Sequence, residues 1–195
     1  MTVAEEGVRL FHFSEDTSIE VFAPRPVRVP AERAPGQGWL NGPLVWAIDE
    51  PRQPMYLFPR DCPRILLWPT ERTTPEDLQR WFGGFSGRMV AHIEEAWRER
   101  HRRARVFRYE LPATSFQSLS DAGMWVSRQA VEPLSVEALD DLPGRLAGAD
   151  VDLRILPDLL PLKGVWETSL HASGIRLRNA QGWDPPLGAV LERRD

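Results

Sequence analysis

Residues 73–97 read TTPEDLQRWFGGFSGRMVAHIEEAW, and the secondary structure assigned to this stretch decides the fold class. Thr74 has the side chain of an N-cap, and Pro75 suits the first helical position. Glu76 and Asp77 follow at the positive end of the helix dipole. Leu78, Trp81, Phe82, Phe85, Met89, Ile93 and Trp97 recur at three-to-four spacing, which predicts a buried helical stripe. Gly83 and Gly84 interrupt it. Each costs about 1 kcal/mol against alanine inside a helix, so a kink or a junction of two helices is expected there.

On either side the pattern changes to that of strands. Upstream, VRLFHF (8–13) puts Val8, Leu10 and His12 on one face and Arg9, Phe11 and Phe13 on the other. IEVF (19–22) is a second short run. LVWAIDE (44–50) is a third, with Leu44, Trp46 and Ile48 on one face. Between the last two, residues 28–43 are rich in Pro and Gly and lack a period, so they read as a loop that a lid would need. Downstream, RVFRYEL (105–111), MWVS (124–127) and VDLRIL (151–156) read as strands. WETSLH (166–171) and GIRLRN (174–179) read as a strand pair separated around Ala172 to Gly174. DDLPGRLAGA (140–149) reads as a short helix capped by Asp141, with Pro143 in its first turn. The tail GWDPPLGAVLERRD reads as an edge strand or a surface segment. Strands thus come first and last with helices mainly between them, and no βαβ alternation is seen. That pattern predicts a single α+β domain over residues 1–195.

The 195 residues are enough to bury a core unaided, and 42% hydrophobic with 27% charged residues is an ordinary globular balance. A net charge of −4 gives no overall attraction to nucleic acid or to an anionic membrane. No apolar run reaches the roughly 18 residues of a membrane span, and the N-terminus lacks the pattern of a secretory signal. The expectation is a soluble cytoplasmic protein with no membrane partner, and nucleic acid is not expected as a ligand. The single cysteine, Cys62, excludes an internal disulfide and a cysteine-rich zinc site. Eighteen prolines are spread along the chain and mark turns and strand ends rather than a linker.

Several side chains are candidates for chemistry. His12 and Ser14 interrupt the first strand, as one wall of a site or as satisfied core residues. FPRDCPR (58–64) crowds Arg60, Asp61, Cys62 and Arg64 between prolines. A guanidinium beside Cys62 would favour thiolate, with His12 as base, whereas a buried thiol would be inert. Arg60 can pair with Asp61 or take a phosphate bidentately. WRERHRRARVFR (97–108) is a basic helix end, read as a solvated face rather than a phosphate grip. His92, His101 and His171 have no metal-binding spacing, so no metal is expected. No GxGxxG, Walker or GxSxG pattern occurs.

LFHFS (10–14) resembles the first motif of the ADP-ribosyltransferase superfamily. That resemblance gives His12 the ribose on the nicotinamide side, and gives Phe13 and Ser14 the carboxamide. LVWAIDEPRQPMYLF (44–58) resembles a second motif, with Trp46 and Ala47 followed nine residues later by Tyr56. The resemblance has Tyr56 stack on the pyridinium, an attraction of about 0.5–2 kcal/mol. GMWVSRQAVEPL (123–134) matches the third motif except that Met124 stands in place of the transfer acid. RNA 2′-phosphotransferases of that superfamily use basic residues instead, and Arg9, Arg60, Arg176 and Arg178 are candidates for the purpose. Over residues 10–180 the chain most resembles a family of small uncharacterised bacterial proteins, through LFHFSED, VWAIDEPRQPMYLFPRDCPRI, MWVSRQAVEPL and SGIRLRNA.

The resemblance implies an ADP-ribosyltransferase-like α+β domain with a split, mostly antiparallel sheet and two or three helices. It implies a cleft carrying His12, Phe13, Ser14, Trp46 and Tyr56, with His12 and Tyr56 nearest the chemistry and Arg9 or Arg60 on the diphosphate. The implied function is binding of NAD or an ADP-ribose-like ligand, with ADP-ribosyl transfer or ribose-phosphate processing open. Two alternatives stand beside it: a non-catalytic binding or interaction protein, and a thiol-dependent enzyme using Cys62.

Overall fold

The structure is a computed structural model and describes residues 7–30 and 32–183. Its strands are β1 (Leu10–Ser14), β2 (Val45–Asp49), β3 (Arg64–Trp68), β4 (Met89–Glu94), β5 (Val106–Leu111), β6 (Gln117–Ser118), β7 (Met124–Ser127), β8 (Ser135–Leu139), β9 (Val151–Leu156) and β10 (His171–Ile175). Its helices are α1 (Pro75–Phe82), α2 (Arg98–Arg103) and α3 (Leu142–Gly148). The fold is α+β with mostly antiparallel pairing, and the chain divides into two compact units, each with its own sheet.

The first unit holds the described residues up to Gln53 together with Phe107–Ala138. Its sheet has the order β6-β7-β2-β1-β5-β8. The register sets Leu10 against Leu111, His12 against Tyr109 and Ala47 against Trp125. Strand side chains alternate between faces, so Leu10, Val45, Ala47, Tyr109, Leu111 and Trp125 share one face. There they form a core with Phe22, Phe116 and Val131. Each large side chain buried this way contributes roughly 1.5–3 kcal/mol. The opposite face carries Trp46 and Val126, covered by Leu40, Leu44 and Trp39. The end of the 28–43 segment is therefore anchored, because Leu40, in the 3₁₀ turn Gly38–Asn41, is buried.

The polar run after β1 is turn chemistry. Ser14 Oγ accepts from Asp16 N at 3.1 Å, and Asp16 Oδ1 accepts from Ser18 N at 2.8 Å. Short hydroxyl and carboxylate side chains bond nearby backbone in this way and stop a strand from continuing. Buried Tyr109 donates from its hydroxyl to the Asp16 carbonyl at 2.8 Å, which ties the turn to β5.

The second unit holds Pro54–Val106 and the described residues from Leu139 onward. Its sheet has the order β10-β3-β4-β9, with β4 and β9 parallel and the other pairs antiparallel. Every residue of β3 and β4 is buried, as befits central strands covered on both faces. Ile65, Leu67 and Val90 pack with Phe82 of α1 and with Leu159, Leu162 and Val165.

Residues 73–97 differ from the sequence expectation over their second half. α1 forms with Thr74 Oγ1 accepting from Asp77 N at 3.3 Å, but it ends at Phe82. Gly83 and Gly84 take φ of +60° and +91°, so two consecutive left-handed residues stop the helix rather than kink it. Met89 and Ile93 then lie on a strand, not on a helical stripe. The separator expected around Ala172 to Gly174 is instead the middle of β10, and of WETSLH Trp166 and Glu167 lie in the 3₁₀ segment Leu160–Glu167 while only His171 joins the strand. IEVF contributes only an isolated bridge between Phe22 and Val131. α3 forms with Asp141 Oδ1 accepting from Gly144 N at 3.2 Å. Nearly all of the tail GWDPPLGAVLERRD lies outside the described residues.

Candidate functional site

Two of the singled-out segments, YLFPRDCPR (56–64) and SGIRLRNA (173–180), meet in the second unit. β3 begins at Arg64, β10 ends at Ile175, and these two residues are register partners. The chain leaving β10 therefore emerges beside the turn that enters β3. Arg176 stops the strand with φ of +57°, a left-handed conformation uncommon outside glycine. Its Nε donates to the Arg60 carbonyl at 3.2 Å. Asn179 Nδ2 donates to the Asp61 carbonyl at 2.7 Å, and Cys62 N closes the turn onto the Pro59 carbonyl at 3.0 Å. The turn carrying Arg60 and Asp61 is thus pinned by side chains from the far end of the unit.

Arg64 lies behind this turn and is only 2% exposed. Its Nε donates to the Met55 carbonyl at 2.8 Å and its Nη1 to the Cys62 carbonyl at 3.0 Å. The guanidinium carbon stands 5.0 Å from the Phe58 ring and 5.6 Å from the Tyr56 ring. Among the described residues no carboxylate forms an ion pair with it. Burial, with a smaller contribution from the charge of Arg176 and against the opposing influence of Cys62 and Tyr56, brings its pKa down to about 10. Arg176 is depressed in turn, first by burial and then by the charges of Arg178 and Arg60, with Asp61 opposing. Guanidiniums that destabilise one another in a partly buried place form a site electrostatically complementary to an anion.

Tyr56 is half-buried beside the cluster, and burial pushes its phenol pKa up against the opposing charges of Arg64 and Arg176. Cys62 is fully buried and donates from Sγ to the Pro63 carbonyl at 3.6 Å. Burial pushes its thiol up to about 12, which outweighs the nearby Arg64 and Arg100. The flanking arginines therefore do not produce a thiolate at neutral pH.

The other singled-out residues are distributed differently. His12, Phe13, Ser14, Trp46 and Arg9 belong to the first unit, whereas Tyr56 and Arg60 belong to the second. His12 Nδ1 donates to the Trp46 carbonyl at 2.8 Å, and its ring lies 4.7 Å from that of Phe22. A carbonyl only accepts, so this bond places a proton on Nδ1. Trp46 meets His12 through its backbone, while its indole lies on the opposite face of the sheet with Val126. Phe13 also alternates away from His12 and Ser14. Arg9 contacts Glu110 at 2.9 Å and Glu50 at 2.6 Å, and those carboxylates raise its pKa. Met124, the first residue of β7, pairs with Ile48 of β2.

Most arginines of the basic stretch 97–108 are paired locally, whereas Arg100 lies over the Trp97 ring. Arg98 pairs with Glu95, Arg102 and Arg103 with Glu99, and Arg105 with Asp140. His101 is buried, stacks on Phe58 and donates from Nε2 to the Leu57 carbonyl at 3.0 Å. His171 stacks on Trp68 at 4.1 Å. Among the described residues no group of three or more His, Cys, Asp or Glu is placed to hold a metal ion, and no helix is long and apolar enough to cross a membrane.

Sequence reasoning passed over Arg64 as an anion ligand in favour of Arg60. Its signal is an arginine at the first position of an otherwise apolar five-residue run, RILLW. A charged residue opening a fully buried strand must be held by something polar. Neither a curated protein nor a solved structure matches the chain. Residues 11–180 match the model of a family of unknown function, DUF6886, and the chain belongs to that family.

Proposed function

We propose that this protein binds a phosphate-bearing ligand of the NAD or ADP-ribose class, with the phosphates held by Arg60, Arg64, Arg176 and Arg178. One observation carries the reading: Arg64 is buried without a carboxylate partner among the described residues, Arg176 is near enough for its charge to act on it, and Arg60 and Arg178 act on Arg176 in turn. An anion supplies the missing countercharge. The planar guanidinium fork matches phosphate oxygens, and such charge-assisted bonds are roughly twice as strong as neutral ones. The ligand class comes from the resemblance to the ADP-ribosyltransferase superfamily, which is an analogy at the level of fold and motif. Tyr56 offers an aromatic surface beside the phosphates. The Arg64 guanidinium carbon stands 5.6 Å from that ring. The reading is one of binding. No transfer step is assigned, since Met124 stands where the resemblance expects an acid.

Calorimetric titration with ADP-ribose and with NAD tests this, using adenosine as a phosphate-free control. The expected result is saturable binding of the two phosphate-bearing ligands that weakens with salt and is lost in Arg64→Met and Arg176→Gly, with no binding of adenosine. Absence of binding at millimolar ADP-ribose, or equal binding by both variants, overturns the proposal.

A further inference from the structure

The first unit contains a cavity of about 200 Å³ lined by Trp39, Ser115, Gln117, Val126, Arg128 and Gln129. It is made entirely within that unit and owes nothing to the arginine cluster. Three separate segments build it. Trp39 comes from the 3₁₀ turn Gly38–Asn41, which buried Leu40 anchors. Gln117 and Val126 are register partners on β6 and β7, so their side chains share one face of the sheet. Arg128 and Gln129 follow β7, in a turn where Gln129 N donates to Ser127 Oγ at 3.1 Å and Ser127 Oγ donates to Ser115 Oγ at 2.9 Å.

The polar groups here are arranged but not consumed. The Arg128 guanidinium carbon lies 4.9 Å from the Trp39 ring centroid. It makes no ion pair with a described carboxylate, and the Gln117 and Gln129 side-chain amides form no hydrogen bond with a described residue. A guanidinium over an indole gains cation–π attraction, and this one is exposed, so an N–H edge stays available. That edge takes a carboxylate in bidentate fashion. The volume lies below the roughly 300–1,000 Å³ of sites for drug-sized ligands, which limits the occupant to about one ring. Half-buried Trp39 supplies the apolar surface, since Val126 is only 2% exposed, and the Gln117 and Gln129 side chains complete a polar lining.

We infer that this cavity is a binding site for a small planar carboxylate of one aromatic ring, whose carboxylate pairs with Arg128 while its ring packs against the edge of Trp39.

The test uses benzoate as the anionic probe and benzamide as its neutral counterpart, followed by ¹H–¹⁵N correlation spectra of the full chain. The expected result is a saturable benzoate-dependent shift of the Trp39 indole N–H and the Arg128 Nε–H, with benzamide about tenfold weaker or worse. Arg128→Gln, checked for an unchanged melting temperature, is expected to lose benzoate binding, and Gln117→Leu to weaken it severalfold. No saturable shift at millimolar benzoate overturns the inference, as does equal binding of benzoate and benzamide or unaltered binding by Arg128→Gln. Loss of ADP-ribose binding in Arg176→Gly with benzoate binding intact shows that the two sites are independent; loss of both overturns that independence.

Discussion

Arg176 donates from Nε to the Arg60 carbonyl at 3.2 Å, across a sequence separation of 116 positions. The end of β10 thereby fixes the turn that enters β3, and two distant motifs become one site. A non-glycine residue held at φ of +57° is a strained choice for closing a turn. The choice makes sense if the side chain is needed where it is.

Arg176→Gly separates that side chain from the backbone it strains. Glycine relieves the left-handed strain but loosens the unfolded chain and loses the bond to Arg60. These effects oppose one another, so stability is expected to change by no more than about 1 kcal/mol in a urea melt. Ligand binding at the cluster is expected to vanish. A variant that melts early and still binds ADP-ribose would show that Arg176 serves the fold alone.

Arg64→Met asks the complementary question from inside. It removes donors from the Met55 and Cys62 carbonyls, at about 1–3 kcal/mol for each group left unsatisfied. It also removes a buried charge whose desolvation is unfavourable. A net loss of about 2 kcal/mol is expected by chemical denaturation. The sharper readout is linkage, since a ligand that binds the native state raises its melting temperature. Inorganic phosphate or ADP-ribose should raise the melting temperature of the parent protein and not that of Arg64→Met. Equal shifts in both would remove Arg64 from the site.

Cys62 distinguishes an inert thiol from a nucleophile. Burial and a pKa pushed up to about 12 leave almost no thiolate at neutral pH. Alkylation by iodoacetamide is expected to be slow in the native protein and fast once it is denatured. Rapid native labelling near neutral pH would restore the thiol-dependent reading.

The sequence exposed the α+β class and five of the ten strands, β1, β2, β5, β7 and β9, because their signals are local. Alternation marked β1, β5 and β9, and Thr74, Pro75 and Asp141 marked helix starts. The misreading of Met89–Glu94 has a clear cause. A short, wholly buried apolar run has no period of its own, so it extended the stripe of the preceding helix. RILLW escaped assignment for the same reason. Residues at the arginine cluster were visible individually, but their convergence depends on the pairing of Arg64 with Ile175, which no local pattern encodes. The polar residues of SEDTS suggested chemistry, yet Ser14 and Asp16 are engaged in a turn.

His92 gives the fold a predictable acid limb. It lies on β4, 3% exposed, with Nδ1 without a partner among the described residues. Burial, reinforced by the charge of Arg154, brings its pKa down to about 4 from 6.5. The folded state therefore binds the proton less well than the unfolded chain. The contribution of neutral His92 is complete above about pH 6.5 and declines as pH falls toward 4, where the folded imidazole is finally charged. Holding one proton off the folded state costs about 1.4 kcal/mol for every pH unit crossed, so roughly 3 kcal/mol is lost over that window. His101, whose pKa burial lowers in the same direction, adds to the effect. Urea melts between pH 7 and 4 should show stability falling steeply in the parent and more shallowly in His92→Gln, whose amide cannot acquire the charge. Parallel pH profiles for the two proteins would place the acid sensitivity elsewhere.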